Sequence, residues 1–230
     1  MALNIVEKID DLVTVNHVLA SVSDKAGLER LIPGLVKINP RVKIYSTGGT
    51  YNAIRDLLGA EKAAGNLISV SDYTGQPEMQ GGLVKTLDYR IYLGLLSESY
   101  NPSHQADLAR SGSVPIDMVV VNLYPFRETI AAPGATPEAA RGTIDIGGPC
   151  MIRAAAKNFH RVAALSDPAD YPWIVRELEE SRGSLSLATR FMLAQKAFRL
   201  TAGYDAAIAD YLCRLTPESV RAGYSVKPGS

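Results

Sequence analysis

The chain has 230 residues, 47% of them hydrophobic, with 24 basic and 24 acidic side chains and a formal net charge of zero. That length and apolar content allow one large domain or two small ones. Zero net charge argues against sequence-independent nucleic-acid binding, which needs a basic face to neutralise phosphates. The two cysteines, Cys150 and Cys213, are far apart, as in a free-thiol protein, and no apolar run approaches the roughly 18–20 residues of a spanning helix. Met1 to Asp11 shows no targeting pattern, so the expectation is a cytoplasmic chain with no membrane partner.

Short apolar runs alternate with helical periodicity along the chain. His17–Ser23 reads as a buried strand, and Leu28, Leu31, Ile32 and Leu35 fall at helical spacing after it. Val42–Ser46 predicts a second strand and Thr50–Leu58 a second helix. Leu67–Val70 predicts a third strand and Ile91–Leu96 a fourth, and Asp107 to Arg110 closes a short helix. Met118–Leu123 is apolar almost throughout, as a strand covered on both faces should be, and Pro125 ends it. Gly148–Asn158 predicts a helix, Val162–Leu165 a strand and Tyr171–Glu180 a helix. From Leu187 to about Leu215 the period is helical, in one helix or in two broken near Gly203. The alternation predicts an α/β fold, a three-layer α/β/α sandwich with a mostly parallel sheet plus C-terminal helices. Residues 1–215 are expected to form one domain and 216–230 a loose tail.

In such folds ligands bind beyond the carboxyl ends of the strands. The polar motifs cluster there. Ser23 or Asp24 would cap the first helix, and Lys25 in its first turn would oppose the dipole unless an anion lay nearby. Thr47-Gly48-Gly49-Thr50 runs from the second strand into a helix and suits a phosphate. Lys85 and Thr86 follow Gly81-Gly82. Asn122 and Tyr124 close the Met118 strand and can hydrogen-bond a ligand edge. Asp145, Ile146, Gly147 and Gly148 open a helix that carries Lys157, and Asp145 with Lys157 form a candidate proton-transfer pair. The three histidines have no metal-like spacing, and no metal site is expected.

Ser21-Val-Ser-Asp-Lys25, Ser46-Thr-Gly-Gly-Thr50, Gly75-Gln-Pro-Glu-Met79, Gly81-Gly82 with Val84-Lys-Thr86, Asn122-Leu-Tyr-Pro-Phe126, Ile144-Asp-Ile-Gly-Gly148 and Arg153-Ala-Ala-Ala-Lys-Asn158 occur in that order. Lys196-Ala-Phe198 and Thr201-Ala-Gly-Tyr-Asp205 follow. Together they resemble the inosine monophosphate cyclohydrolase domain of the bifunctional purine-biosynthesis protein. The resemblance implies a methylglyoxal-synthase-like fold. It also implies closure of the second purine ring of a formylated aminoimidazole-carboxamide ribotide, with loss of water and with no cofactor or metal.

By that resemblance Lys157 would be the principal acid/base, Asp145 its partner, Lys85 an assistant and Tyr124 a donor at the reacting edge. Ile146 and Gly147 would supply backbone N–H groups. Ser23, Asp24, Lys25, Thr47, Gly48, Gly49 and Thr50 would hold the ribose phosphate, and Thr86 and Asn122 the base or sugar. The partner would be a small nucleotide. A homodimer and a separate formyltransferase partner stay open, since the usual formyltransferase domain is not in this sequence. Leu83, Asp88-Tyr89 and Tyr92 depart from the family's arginine, His-Pro and histidine. A methylglyoxal synthase and a non-catalytic nucleotide sensor are the two competing readings.

Overall fold

The computed structural model describes residues 5–77 and 85–227. Gly81-Gly82, Leu83 and Val84 lie outside the described residues. Five parallel strands form the central sheet in the order β4-β3-β2-β5-β6: β4 (Leu67–Ser69), β3 (Lys43–Ser46), β2 (His17–Ser21), β5 (Met118–Val121) and β6 (Ala163–Leu165). A separate antiparallel ribbon pairs β1 (Leu12–Thr14) with β7 (Ser184–Ser186).

Alternation along the strands divides the core. Val18, Ala20, Ile44, Met118 and Val120 pack with α1 (Leu28–Ile38) and α9 (Tyr171–Glu180), beside α2 (Gly48–Asn66). Leu19, Tyr45, Val119, Val121 and Ala164 face the other way, onto α4 (Tyr89–Leu96), α8 (Gly147–Lys157) and α10 (Leu187–Leu212). Successive strand side chains point to opposite faces, so apolar strands need a cover on each side. The remaining helices are α3 (Val70–Thr74), α5 (Pro102–Ser111), α6 (Phe126–Ala131), α7 (Pro137–Gly142) and α11 (Pro217–Arg221). No helix among the described residues is long and apolar enough to cross a membrane.

Four local expectations are corrected. Ile91–Leu96 is not a strand but most of α4. Asp88 caps that helix by accepting from the Arg90 N–H at 2.7 Å, and Ile91 and Leu95, four residues apart, are fully buried on one face. The β2–α1 connection is longer than expected. Gly27, at φ +80°, leads into α1, so neither Ser23 nor Asp24 is its N-cap and Lys25 lies in the loop. Beta-5 stops at Val121, which releases Asn122 and Tyr124 from strand geometry. Finally, the tail expected to be loose holds a short exposed helix, α11, opened by a Thr216–Ser219 capping box, while α10 takes the first of its two expected forms, a single helix unbroken at Gly203.

The chain runs β2-β3-β4 toward one edge of the sheet and β5-β6 toward the other. The order therefore reverses between β2 and β5, the place where open α/β sheets leave a crevice at the carboxyl ends. The amino ends are pinned by Asp117. Its Oδ2 accepts from the Asn16 and His17 N–H groups at 2.9 Å each, and its Oδ1 accepts from the buried Arg161 at 3.3 Å.

Candidate active site

A cavity of about 630 Å³ opens at the carboxyl ends of β2, β3 and β5. That size suits a small organic ligand. Ser21–Ser23 and Lys25 line one wall, Thr47, Gly49 and Thr50 a second, and Lys85–Leu87 a third. Asn122, Tyr124 and Ile144–Gly148 close it.

The first turn of α2 is the floor of a cationic corner. A Cβ on Gly48 would lie 3.8 Å from Lys85 Nζ, and one on Gly49 would lie 3.9 Å from Lys25 Nζ. Both ammonium groups thus hang over one helix N-terminus, which has no acid in its first turn and no capping bond from Thr47. Two cations at the positive end of a helix repel each other and the dipole. An anion bound there relieves both. Lys25 also donates to its own loop, at Ser23 O, over 3.1 Å.

Across the cavity stands Asp145; with Lys25 and Lys85 it makes up the charged groups that line the cavity among the described residues. The α8 entry is built around this carboxylate. Gly148 N–H donates to Oδ1 at 2.8 Å, and any side chain on Gly148 would meet Oδ2 at 2.5 Å. A Cβ on Gly147 would meet Thr86 Oγ1 at 2.7 Å. The two glycines let Asp145 and Thr86 close in on the helix start. Desolvation raises the Asp145 pKa above the ordinary carboxylate value, against the backbone N–H groups of Gly148 and Tyr124, which lower it. The Asp145 backbone N–H donates to Tyr204 Oη at 2.8 Å, and Tyr204 in turn donates to Thr143 O at 3.0 Å.

Residues 27–150 match the family described as the MGS-like domain, more than half of the chain. The chain belongs to the MGS-like domain family. Residues 155–227 match the description AICARFT/IMPCHase bienzyme. The chain is 46% identical over 205 residues to the bifunctional purine biosynthesis protein PurH of Neisseria meningitidis, covering 89% of this chain and 37% of that protein. It is 45% identical over 207 residues to PurH of Acidithiobacillus ferrooxidans, covering 90% and 38%. It therefore spans a little over a third of the curated relatives it matches. A crystal structure of ForH superposes with a TM-score of 0.73 at 36% identity, over 90% of this chain and 98% of that one. The resemblance read from the motifs, to the cyclohydrolase domain of such proteins, holds.

Within the MGS-like fold the predicted residues separate into three groups. Lys25, Lys85, Asp145, Thr86, Tyr124, Ser23, Thr47, Gly49, Ile146 and Gly147 line the cavity, and Gly48 lies at its cationic corner. Asn122 and Thr50 also line it, but their polar groups are occupied by the protein. Asn122 Oδ1 accepts from Ser23 and Asp24 N–H at 2.6 and 2.9 Å, and its Nδ2 donates to Asp24 O at 2.6 Å. Thr50 Oγ1 accepts from Val22 N–H and donates to Val22 O at 3.0 and 3.1 Å. Both shape the β2–α1 loop; ligand contact through these groups is not what the geometry offers. Asp24 turns outward and accepts from Ala26 N–H at 2.9 Å, a local turn rather than part of the cavity wall.

Lys157 is the main correction. It ends α8, and its neighbour Asn158 donates to Leu95 O and Ser97 O at the amino-end side of the sheet. Ten residues of helix at 1.5 Å each put its Cα about 15 Å along the axis from Gly147. It is exposed and does not line the cavity, so it does not pair with Asp145 there. Two of the departures, Asp88 and Tyr92, also resolve. Asp88 is buried, bonded to Arg90 N–H and to Gln76 Nε2 at 2.6 Å, and it puts no negative charge into the cavity. Tyr92 is half-buried on α4, facing Cys150 of α8. Tyr204 received no role from the sequence. Its only trace there was the Thr201–Asp205 motif.

Proposed function

We propose that this chain closes the second ring of a purine, converting a formylated aminoimidazole-carboxamide ribotide to inosine monophosphate and water. The observation that carries the reading is the opposition, inside one cavity, of a two-lysine helix-end corner and a partly desolvated carboxylate. The corner takes the ribose phosphate: Lys25 and Lys85 neutralise it while the α2 N-terminus solvates it. Held by that anchor, the formyl and carboxamide groups lie against Asp145 as near neighbours instead of a flexible pair.

As the amide nitrogen bonds to the formyl carbon, the Asp145 carboxylate accepts the amide proton. The formyl oxygen takes negative charge and then the amide proton back from Asp145, giving a hydroxyl; the formamido nitrogen gives up its own N–H proton to that hydroxyl, which leaves as water as the ring double bond forms. Backbone N–H groups at Ile146 and Gly147 and the Tyr124 hydroxyl, from residues that line the same cavity, would donate to the developing oxyanion. A carboxyl whose pKa is raised is suited to both directions of transfer. No residue of this chain other than Asp145 is assigned the shuttle, and Lys157 has no part in it. The reaction needs no cofactor or metal, and the formyl group would come from a separate transfer reaction.

The test is ultraviolet detection of purine formation by the purified chain with no added metal or folate. Ring closure supports the reading. Turnover of dihydroxyacetone phosphate in its place, or tight inosine monophosphate binding with no turnover, overturns it in favour of a methylglyoxal synthase or a sensor.

A further inference from the structure

The loop that carries Asp145 is tied to α7 at its start, where Thr143 and Ile144 N–H donate to Ala140 O and Arg141 O, and to α8 through the Asp145 carboxylate. Residues 143–146 join the end of α7 to the start of α8, and Asp145 is the acid that must keep its place to within a fraction of an ångström. Helix α10, later in the chain, shares an apolar cluster with Ile144 of this loop and hydrogen-bonds the loop through Tyr204. Tyr204 is buried, and its hydroxyl is saturated by the loop: it accepts from the Asp145 N–H at 2.8 Å and donates to Thr143 O at 3.0 Å. The ring is fixed edge-on against Phe126 at 6.1 Å between centroids. Beside it, Arg127 Nη2 donates to Gly203 O at 2.8 Å, tying the same turn of α10 to α6. Tyr204 is not part of the cavity wall. Asp145 lies in the stretch matched as MGS-like, and Tyr204 in the stretch matched as AICARFT/IMPCHase.

We infer that Tyr204 is a positioning residue: through the Thr143–Asp145 backbone it sets the place of the cavity carboxylate, so that helix α10 supports the catalytic apparatus. This rests on the ring-closure reading for its activity readout. The physical reason is that a hydroxyl bridging the Thr143 C=O and the Asp145 N–H fixes both peptide planes that flank Ile144, the second of which leads into Asp145. Removing it leaves two part-buried backbone groups without their partner, and the loop can restore their bonds only by moving. A moved loop takes the Asp145 carboxylate out of line with Gly148 N–H.

The experiment uses the full chain with Tyr204→Phe, which keeps the ring and its packing, and Phe126→Leu, which disturbs the same packing but keeps the hydroxyl. Well below either melting temperature, Tyr204→Phe should lower kcat on the order of tenfold or more with KM unchanged. Phe126→Leu should lower the melting temperature while its kcat stays within twofold of the parent. Hydrogen exchange at the Asp145 and Gly148 amides should speed up in Tyr204→Phe and not in Phe126→Leu. An unchanged kcat in Tyr204→Phe, or an equal fall in both variants, overturns the inference. If the parent chain shows no ring closure, the proposed function fails, and the exchange measurement decides alone: faster exchange confined to Tyr204→Phe sustains the positioning role, and unchanged exchange overturns it.

Discussion

Gly148 donates its backbone N–H to Asp145 Oδ1 at 2.8 Å, and a Cβ on that glycine would stand 2.5 Å from Oδ2 of the same carboxylate and 2.9 Å from Leu123 Cδ2. The helix start thus holds the acid from one side and leaves it no slack on the other. Two effects compete in Gly148→Ala. Helix propensity favours alanine by about 1 kcal/mol. Overpacking a buried site costs about 1–3 kcal/mol. The contact is with a carboxylate fixed by its own hydrogen bond, so overpacking should win. The variant should be less stable by roughly 0–2 kcal/mol in thermal or denaturant unfolding. Its kcat should fall far more than that stability loss explains, because the acid itself is what moves.

The raised pKa of Asp145 fixes the direction of the pH response. The carboxylate is the active form for taking a proton, so kcat/KM should fall as pH drops through a value above the ordinary aspartate pKa of about 3.9. Asp145→Asn should remove that acidic limb and cost at least ~10²-fold in rate. The linkage runs the opposite way for stability. A folded-state pKa above the unfolded one means that ionising this group weakens the fold as pH rises through the window between them. The asparagine variant should therefore unfold at neutral pH no earlier than the parent. An earlier unfolding would show that the carboxylate is needed for the fold and not only for chemistry.

The parts legible in the sequence are those set by local physics. Met118–Val121 is apolar at every position because both faces are covered, and the turns after β2 and β3 carry the polar residues the switch point needs. Ile91–Leu96 misled because a short, wholly apolar run reads equally as buried strand or buried helix. The Asp88 cap was the signal that separates them. Gly203 left one helix or two open, and the buried Thr201, Tyr204 and Ala207 around it hold a single helix. At the site, sequence order located the loops but not the direction of their side chains. Asn122 and Thr50 turn into the protein, and Asp145 and Lys157, drawn together by a shared motif, sit at opposite ends of one helix.

Asn122 gives a test of that difference between binding and building. Its amide makes three bonds to the Ser23–Asp24 backbone, all of which Asn122→Ala removes. Leaving such groups unpaired costs about 1–3 kcal/mol where they are buried, and less at this partly exposed loop. The loop also carries Lys25. The variant should show a modest loss of thermal stability and weaker binding of inorganic phosphate by calorimetry. Phosphate itself has no ring or sugar to touch Asn122, so weaker phosphate binding would locate the effect in the loop. Unchanged phosphate binding with weaker nucleotide binding would instead make Asn122 a ligand contact.

Lys157 separates inheritance of a motif from placement in the fold. It is exposed at the C-terminal end of α8, where its charge complements the helix dipole, a favourable effect of about 0.3–1 kcal/mol at an exposed site. The cavity acid lies at the other end. The Lys157 side chain, even directed back toward the helix start, spans only part of the 15 Å or so of helix between them. Lys157→Ala should therefore keep kcat within about threefold of the parent and cost no more than that small dipole contribution in stability. A general acid or base would cost at least ~10²-fold. The two expectations differ by more than an order of magnitude, so one rate measurement decides between them. A large loss would mean that protons reach Lys157 by a route this cavity does not contain, and the shuttle assigned to Asp145 alone would fall.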